Sequence, residues 1–289
     1  MKLVQFTMKG FSPSDDPYGS RLGAIVGDEV AALSEDVSGS VAELIFDASE
    51  GYDWLPHAQA ALPKASRHPL SEVRLLPPLR PGKVLCSGIN YRAHATENPN
   101  ARMPEEPFFF AKLPSSICGH DDEVSRGRST QMDYEVEFTA VVGRPLWRAS
   151  EEEVMPAIFG YTLLNDVSAR DIQFKDAQIT LGKNLRGFAP IGPCIVTADE
   201  LTDPGNVRLR TRLNGRTLQD GHTSDWLFPL PRLLSFLSQV MPLEPGDLVT
   251  TGTPAGVGVF RNPQVFMAPG DVVEIEAEGI GTLRNRIVA

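Results

Sequence analysis

The stretch Met132-Asp133-Tyr134-Glu135-Val136-Glu137-Phe138-Thr139-Ala140-Val141-Val142-Gly143 opens in a polar loop and ends on a glycine. Its body is rich in β-branched and aromatic residues, which predicts a strand. Side chains two apart on a strand share a face. Glu135 and Glu137 are therefore expected on one face, with Val136, Phe138 and Ala140 on the other. Neighbouring carboxylates repel unless a cation sits between them or one holds a proton. Further on, Gly160-Tyr161-Thr162-Leu163-Leu164-Asn165-Asp166-Val167-Ser168-Ala169-Arg170-Asp171 is an apolar run that ends in acids. An Asp at the end of that run can bring a third carboxylate to the pair. No His or Cys is near in the sequence, and an all-oxygen set points to a hard divalent ion, Mg²⁺ or Mn²⁺ before Zn²⁺. The plain alternative is a polar strand face paired with Lys and Arg.

Four segments in order carry a resemblance. Asp133-Tyr134-Glu135-Val136-Glu137, Asn165-Asp166-Val167-Ser168-Ala169-Arg170-Asp171-Ile172-Gln173, Gly182-Lys183 and Thr251-Gly252-Thr253-Pro254-Ala255-Gly256-Val257-Gly258 are similar to the signatures of the fumarylacetoacetate hydrolase family. The likeness runs from about Pro81 to the C-terminus. It implies a mixed α+β, predominantly β fold: a β-sandwich roll with a small N-terminal domain, commonly found as a homodimer. It also implies Glu135, Glu137 and Asp166 as metal ligands, with Mg²⁺ (or Mn²⁺) as the ion and Ca²⁺ as an occupant in a crystal. Some members carry a further Asp as a fourth ligand, where this chain has Ser87-Gly88-Ile89. Three protein carboxylates and several waters are then expected, a set that suits Mg²⁺.

The whole chain sets the frame. Its 289 residues suffice for one large domain, or a large one and a small one, with a proper core. A hydrophobic content of 42% with 22% charged residues is that of an ordinary globular protein. The net charge of −10 argues against nucleic acid and against anionic membrane surfaces, since both reward a basic face. A small anionic substrate then needs local positive charge from a metal and a few Lys or Arg. Cys86, Cys118 and Cys194 are odd in number and form no C-x-x-C pair, which suggests reduced thiols in a cytoplasm. The N-terminus shows no apolar signal region, and no run approaches the ~18 apolar residues of a membrane span.

Residues 1–75 are expected as a small N-terminal β-rich module, and 76–289 as the catalytic domain. In the first, Lys2 to Thr7 alternates as a strand, and Arg21 to Val26 and the residues after Gly27-Asp28 predict two more. Val41 to Ala48 suits a short helix, and the Pro-, Ala- and Ser-rich piece from Trp54 to Leu76 marks a boundary. His57 and His68 lie in polar surroundings that suit surface roles. In the second, Pro81-Gly82, Pro245-Gly246 and Pro269-Gly270 stand where type II turns want them, each followed by a β-branched run. Val207 to Leu213 alternates and meets Asn214-Gly215, a strong hairpin signal. Leu230, Leu233, Leu234, Leu237 and Met241 repeat at helical spacing as core packing, and Glu151 to Ile158 is a shorter helix candidate after Ser150.

Groups for chemistry follow. In Asn90-Tyr91-Arg92-Ala93-His94-Ala95-Thr96-Glu97, Asn90 can cap one short helix that Asn98-Pro99 would end. His94 and Glu97 are three apart, so they share a helix face and can hydrogen-bond. A carboxylate on one imidazole nitrogen orients the ring and raises its basicity; the plain alternative is a surface ion pair. The resemblance implies that this pair is a water-activating dyad on a lid. It implies that Lys183 neutralises developing negative charge and that Thr253 binds a substrate carboxylate. It also implies that Arg170 and Gln173 contact the substrate or support the site, structural roles being the alternative.

Other readings fail. Gly182-Lys183 lacks the upstream glycine and the following Ser or Thr of a phosphate loop, and Pro254 with no helix after it spoils a dinucleotide loop. There is no Gly-x-Ser-x-Gly elbow. Cys86 reads as a buried small apolar residue, and His120 and His222 sit in loops without metal-ligand spacing. The expected enzyme is a metal-dependent hydrolase that cuts the C3–C4 bond of a 2,4-dioxo acid, with metal chelation stabilising the enolate. Decarboxylation of oxaloacetate, or isomerisation of an oxo-enoic or dienoic acid, is the alternative at the same site. Farther off stands a non-catalytic dimer that binds Ca²⁺ or Mg²⁺ for structure.

Overall fold

The computed structural model describes residues 1–10, 20–33, 37–97, 102–175 and 178–289. Strands dominate, as expected. Among the described residues the largest sheet has 12 strands. Its central path runs Lys2–Met8, Ala189–Thr197, Ile158–Asn165, Val136–Val142, Leu248–Thr250, Val84–Ser87 and Phe109–Lys112. Outward from Lys2–Met8 come Arg21–Val26, Glu29–Ala32 and Arg67–Pro69. The N-terminal residues thus share one sheet with the body, through Lys2 opposite Val196 and Leu3 opposite Ile195. The position expected for the boundary falls at the end of the strand Val73–Leu76, which pairs with Lys2–Met8.

A second sheet of five strands, Arg216–His222, Arg208–Leu213, Val272–Ala277, Gly281–Val288 and Glu123–Ser125, covers one face of the first. The alternation read from the sequence explains why. Val136, Phe138, Ala140 and Val142 are fully buried in one cluster with Leu209, Ile275, Ala277 and Leu283 of the five-stranded sheet. Val141, from the opposite phase, packs instead with Leu164, Ile195 and the helix residues Val41, Leu44 and Ile45. Cutting Phe138 back to alanine in such a core costs roughly 3–5 kcal/mol. The Leu230–Ser238 helix buries Leu230, Leu233, Leu234 and Leu237, as its spacing predicts. Among the described residues no helix is long and apolar enough to cross a membrane.

Several local expectations are corrected. The region from Trp54 holds a helix, Trp54–Ala61, with Trp54, Ala58 and Ala61 buried; its Pro and Ala content hid that spacing. Gly246 and Gly270 adopt the left-handed conformation of type II turns (φ 88° and 97°), whereas Gly82 does not. The helix after Ser150 is shorter than expected, Glu151–Val154, and continues as a 3₁₀ turn over Met155–Ala157. Asn90 does not cap the helix Arg92–Glu97. Its amide donates to the carbonyls of Phe228 (3.1 Å) and Thr251 (2.9 Å) and accepts from Phe228 N–H (2.8 Å). Asp225, from a distant loop, takes the Ala93 N–H at 2.9 Å. Asn98 and Pro99 lie outside the described residues.

Candidate metal centre and active site

Strand register builds the acidic centre. Val136–Val142 and Ile158–Asn165 run antiparallel, with Val136 opposite Asn165. Asp166 follows directly, and its N–H donates to Glu135 O at 2.9 Å. Asn165 Oδ1 accepts the Glu135 N–H at 3.0 Å, which fixes the backbone on which that acid stands. Oxygens of Glu135, Glu137 and Asp166 then lie within 4.8 Å of one another, all three residues buried.

Buried cations surround them. Lys183 Nζ donates to Glu135 Oε2 (2.9 Å) and Asp166 Oδ2 (2.6 Å). Arg170 Nη2 donates to Glu135 Oε1 at 2.5 Å, and Nη1 to Gln173 Oε1 at 3.0 Å. Arg170 Nε donates to Asp133 Oδ2 at 2.9 Å. Lys112 Nζ sits 2.8 Å from Asp166 Oδ1 and donates to the carbonyls of Val167, Lys183 and Phe188 at 3.1, 2.7 and 2.6 Å. Lys183 is delivered by a very short helix, Thr180–Lys183. Gly182 is required beside it, because a Cβ there would lie 2.6 Å from Gln173 Cα.

Among the described residues, four buried carboxylates (Asp133, Glu135, Glu137, Asp166) therefore meet three buried cations (Lys112, Arg170, Lys183), and the unmatched charge is on Glu137. Burial pushes the Glu135 carboxyl up, but Arg170 and Lys183 outweigh it and hold the group well below the usual carboxylate range. Burial, then the charges of Asp166 and Glu135, drive Glu137 well above that range. Glu137 Oε2 is buried without a hydrogen-bond partner among the described residues, whereas Asp166 Oδ1 has the Lys112 ammonium beside it. Unpaired buried carboxylate oxygens are costly. One such oxygen on Glu137, a missing positive charge and an all-oxygen donor set fit a hard divalent cation.

The dyad forms as the spacing predicts. His94 Nδ1 is 2.7 Å from Glu97 Oε2. The other oxygen, Glu97 Oε1, accepts the Gly256 N–H at 2.6 Å, which ties the short helix to the Thr251–Gly258 segment. His94, Glu135, Glu137, Asp166, Arg170, Gln173, Lys183 and Thr253 line one cavity of about 160 Å³. Ser87, Gly88 and Ile89 line it too, with Phe108, Phe110 and Phe260 as an apolar wall. Thr253 Oγ1 accepts from Gln219 Nε2 at 2.8 Å, so its own O–H is left to donate to an anion. Arg170 is committed to Asp133, Glu135 and Gln173, an arrangement that supports Glu135. His120 and His222 lie outside this cavity. Burial, then the Asp166 charge, raises the Cys86 thiol far above its normal value, in keeping with an inert apolar role.

Lys112, Asp133 and Gln219 were not singled out by the sequence. Lys112 closes the apolar run Phe108-Phe109-Phe110-Ala111, and a lysine that is itself buried demands carboxylate and carbonyl partners. Asp133 opens the very stretch that supplies Glu135 and Glu137. Gln219 carries no comparable signal.

Comparisons with known proteins place the chain in a family. Residues 83–288 match the fumarylacetoacetate (FAA) hydrolase C-terminal family model. The chain is 38% identical over 267 residues, 88% of each protein, to oxaloacetate tautomerase YisK of Bacillus subtilis (strain 168). It superposes on a fumarylacetoacetate hydrolase (EaFAH) from psychrophilic Exiguobacterium antarcticum with a TM-score of 0.86 and 35% identity, covering 100% of this chain and 99% of that one. Maleylpyruvate hydrolase from Sphingobium sp. SYK-6, solved with manganese(II) ion and pyruvate, gives a TM-score of 0.79 at 28% identity, covering 100% and 99%. The matched segment, the full-length similarity and the shared architecture lead to one conclusion: the chain belongs to the fumarylacetoacetate hydrolase family.

Proposed function

We propose that the protein is a metal-dependent enzyme of small 2-oxo acids whose leading activity is proton transfer beside the 2-oxo group. Keto–enol tautomerisation of oxaloacetate, or isomerisation of an oxo-enoic acid, is the reaction of that class. This reverses the order expected from the sequence, in which cleavage of a C–C bond came first. Similarity to an oxaloacetate tautomerase over 88% of both chains supports the reversal.

The observation that carries the reading is His94, held by Glu97, lining the same cavity as Glu135, Glu137 and Asp166. Those three residues would hold a divalent ion, which when bound supplies Lewis acidity to the carboxylate and 2-oxo oxygens of a substrate. Glu97 at Nδ1 leaves Nε2 of His94 as the basic nitrogen. His94 removes a proton from C3, and the C–H electron pair moves into the C2–C3 bond as charge builds on the 2-oxo oxygen. Glu97 stabilises the imidazolium so formed. Return of that proton to the oxygen completes the tautomerisation, and return to a farther carbon completes an isomerisation. The Lys183 ammonium lowers the cost of the negative charge, and the Thr253 hydroxyl orients the substrate carboxylate. A cavity of about 160 Å³ is well below the ~300 Å³ at which drug-sized sites begin, which suits a small acid.

Hydrolysis is the second reading, because the same dyad can deprotonate water and because a maleylpyruvate hydrolase shares the fold. The test is a panel of oxaloacetate, an oxo-enoic acid and an acylpyruvate, each assayed with Mg²⁺ and with Mn²⁺. Proton-transfer turnover that exceeds acylpyruvate cleavage supports the proposal, and the opposite order favours the hydrolase. Failure of oxalate, a pyruvate-enolate mimic, to bind in the presence of metal would point to a structural metal site.

A further inference from the structure

Asp133 is a fully buried carboxylate for which proton transfer has no direct use. Its Oδ1 accepts the N–H groups of Gly258 (2.7 Å) and Tyr134 (2.9 Å). Its Oδ2 accepts Val259 N–H (3.0 Å) and Arg170 Nε (2.9 Å). A carboxylate with that many donors is rigidly placed. Both of its sides lead to the site. On one, Arg170 reaches Glu135. On the other, the loop held at Gly258 and Val259 is the loop whose Gly256 N–H grips Glu97. Tyr134 Oη and Arg261 Nε both donate to Gly256 O, at 3.1 and 3.0 Å, which stiffens the same link.

We infer that Asp133 is a positioning residue that sets the His94–Glu97 dyad in register with the carboxylates of the metal centre. One path of contacts, carried between Gly256 and Gly258 by the backbone of Val257, joins His94, Glu97, Gly256, Gly258, Asp133, Arg170 and Glu135. Proton transfer is sensitive to such register, since a misplacement of about 1 Å can lower rates by ~10². Gly258 is part of the device: a Cβ there would lie 1.9 Å from Val265 O and 2.6 Å from Asp133 Oδ1. The inference rests on the reading of the dyad as the proton-transfer pair.

Asp133→Asn keeps the shape and removes the charge. It should lower kcat about tenfold or more while KM changes less. Calorimetric titration should show Mn²⁺ bound several-fold more weakly, since a negative charge near the ion is gone and Arg170 is left to draw on Glu135 alone. The decisive readout is a double-mutant cycle with Glu97→Ala. In that background the link from the loop to the dyad is already cut, so Asp133→Asn should lower kcat less than about twofold. A folded Asp133→Asn protein with unchanged turnover and Mn²⁺ affinity overturns the proposal, as does a fully additive cycle. Wild-type turnover in Glu97→Ala itself would instead sink the proton-transfer reading, and this inference with it. Should Asp133→Asn not fold, Gly258→Ala displaces the same contact from the loop side, and the same cycle applies.

Discussion

The backbone N–H of Asp166 donates to the carbonyl oxygen of Glu135 at 2.9 Å. That one bond carries the antiparallel ladder a step past Val136 and Asn165 and sets two carboxylates from different strands side by side. Glu137, two residues on, completes the cluster. The acidic cluster is therefore a consequence of register. A one-residue slip would turn the acids to the opposite face.

Removing Glu137 should affect the metal-free and the metal-bound protein in opposite ways. Glu137→Gln abolishes the unmatched buried charge, so the metal-free protein should gain on the order of 1 kcal/mol, read from urea unfolding in EDTA. Mn²⁺ affinity should fall by ~10² or more.

The Glu137 carboxyl is raised above its ordinary value of 4.5 in the folded protein. Its favourable contribution is present below that value and is lost as pH rises through the folded-state pKa. The stability gap between Glu137→Gln and wild type in EDTA should thus be widest at neutral pH and close on acidification. A gap independent of pH would show that Glu137 is not held against its charge.

Lys183→Met removes an ammonium bonded to two of the three acids. Turnover should fall by ~10² or more if that charge stabilises the enolate. Mn²⁺ should bind at least as tightly, because a competing cation is gone. Unchanged turnover would make Lys183 a structural residue.

His94→Ala and Glu97→Ala should each lower turnover by ~10² or more, with Mn²⁺ and oxalate affinities nearly intact. The double variant should be little worse, since residues that act as one unit are not additive. Calorimetric oxalate titration beside steady-state kinetics separates the steps.

Lys112→Met should be the severe structural lesion. It strands Asp166 Oδ1 and three carbonyls in the interior, and breaking a buried pair costs roughly 3–5 kcal/mol. A loss below about 1 kcal/mol in urea unfolding would mean that Lys112 is replaceable.

What the sequence made legible was whatever depends on period or spacing. The two-residue alternation of Val136, Phe138 and Ala140 gave the core face. The three-residue step from His94 to Glu97 gave the dyad, and the four ordered segments gave the fold. What it hid depends on contacts between distant residues. Asp225 caps the helix that Asn90 was expected to cap, and Asn90 instead clips Phe228 and Thr251, far along the chain. Arg170 was read as a residue near substrate or support, and its saturation by Asp133, Glu135 and Gln173 requires three dimensions to see. The partners of Lys112 are hidden for the same reason, since they come from three other segments.

The central claim is that His94 moves a proton on a 2-oxo acid held at the acidic centre. Its most direct test is the rate at which enol oxaloacetate converts to the keto form, followed by the ultraviolet absorbance of the enol. The account predicts acceleration over buffer by the Mg²⁺-loaded protein, and the buffer rate for both EDTA-treated protein and Mg²⁺-loaded His94→Ala. Full acceleration by either of those two would contradict it.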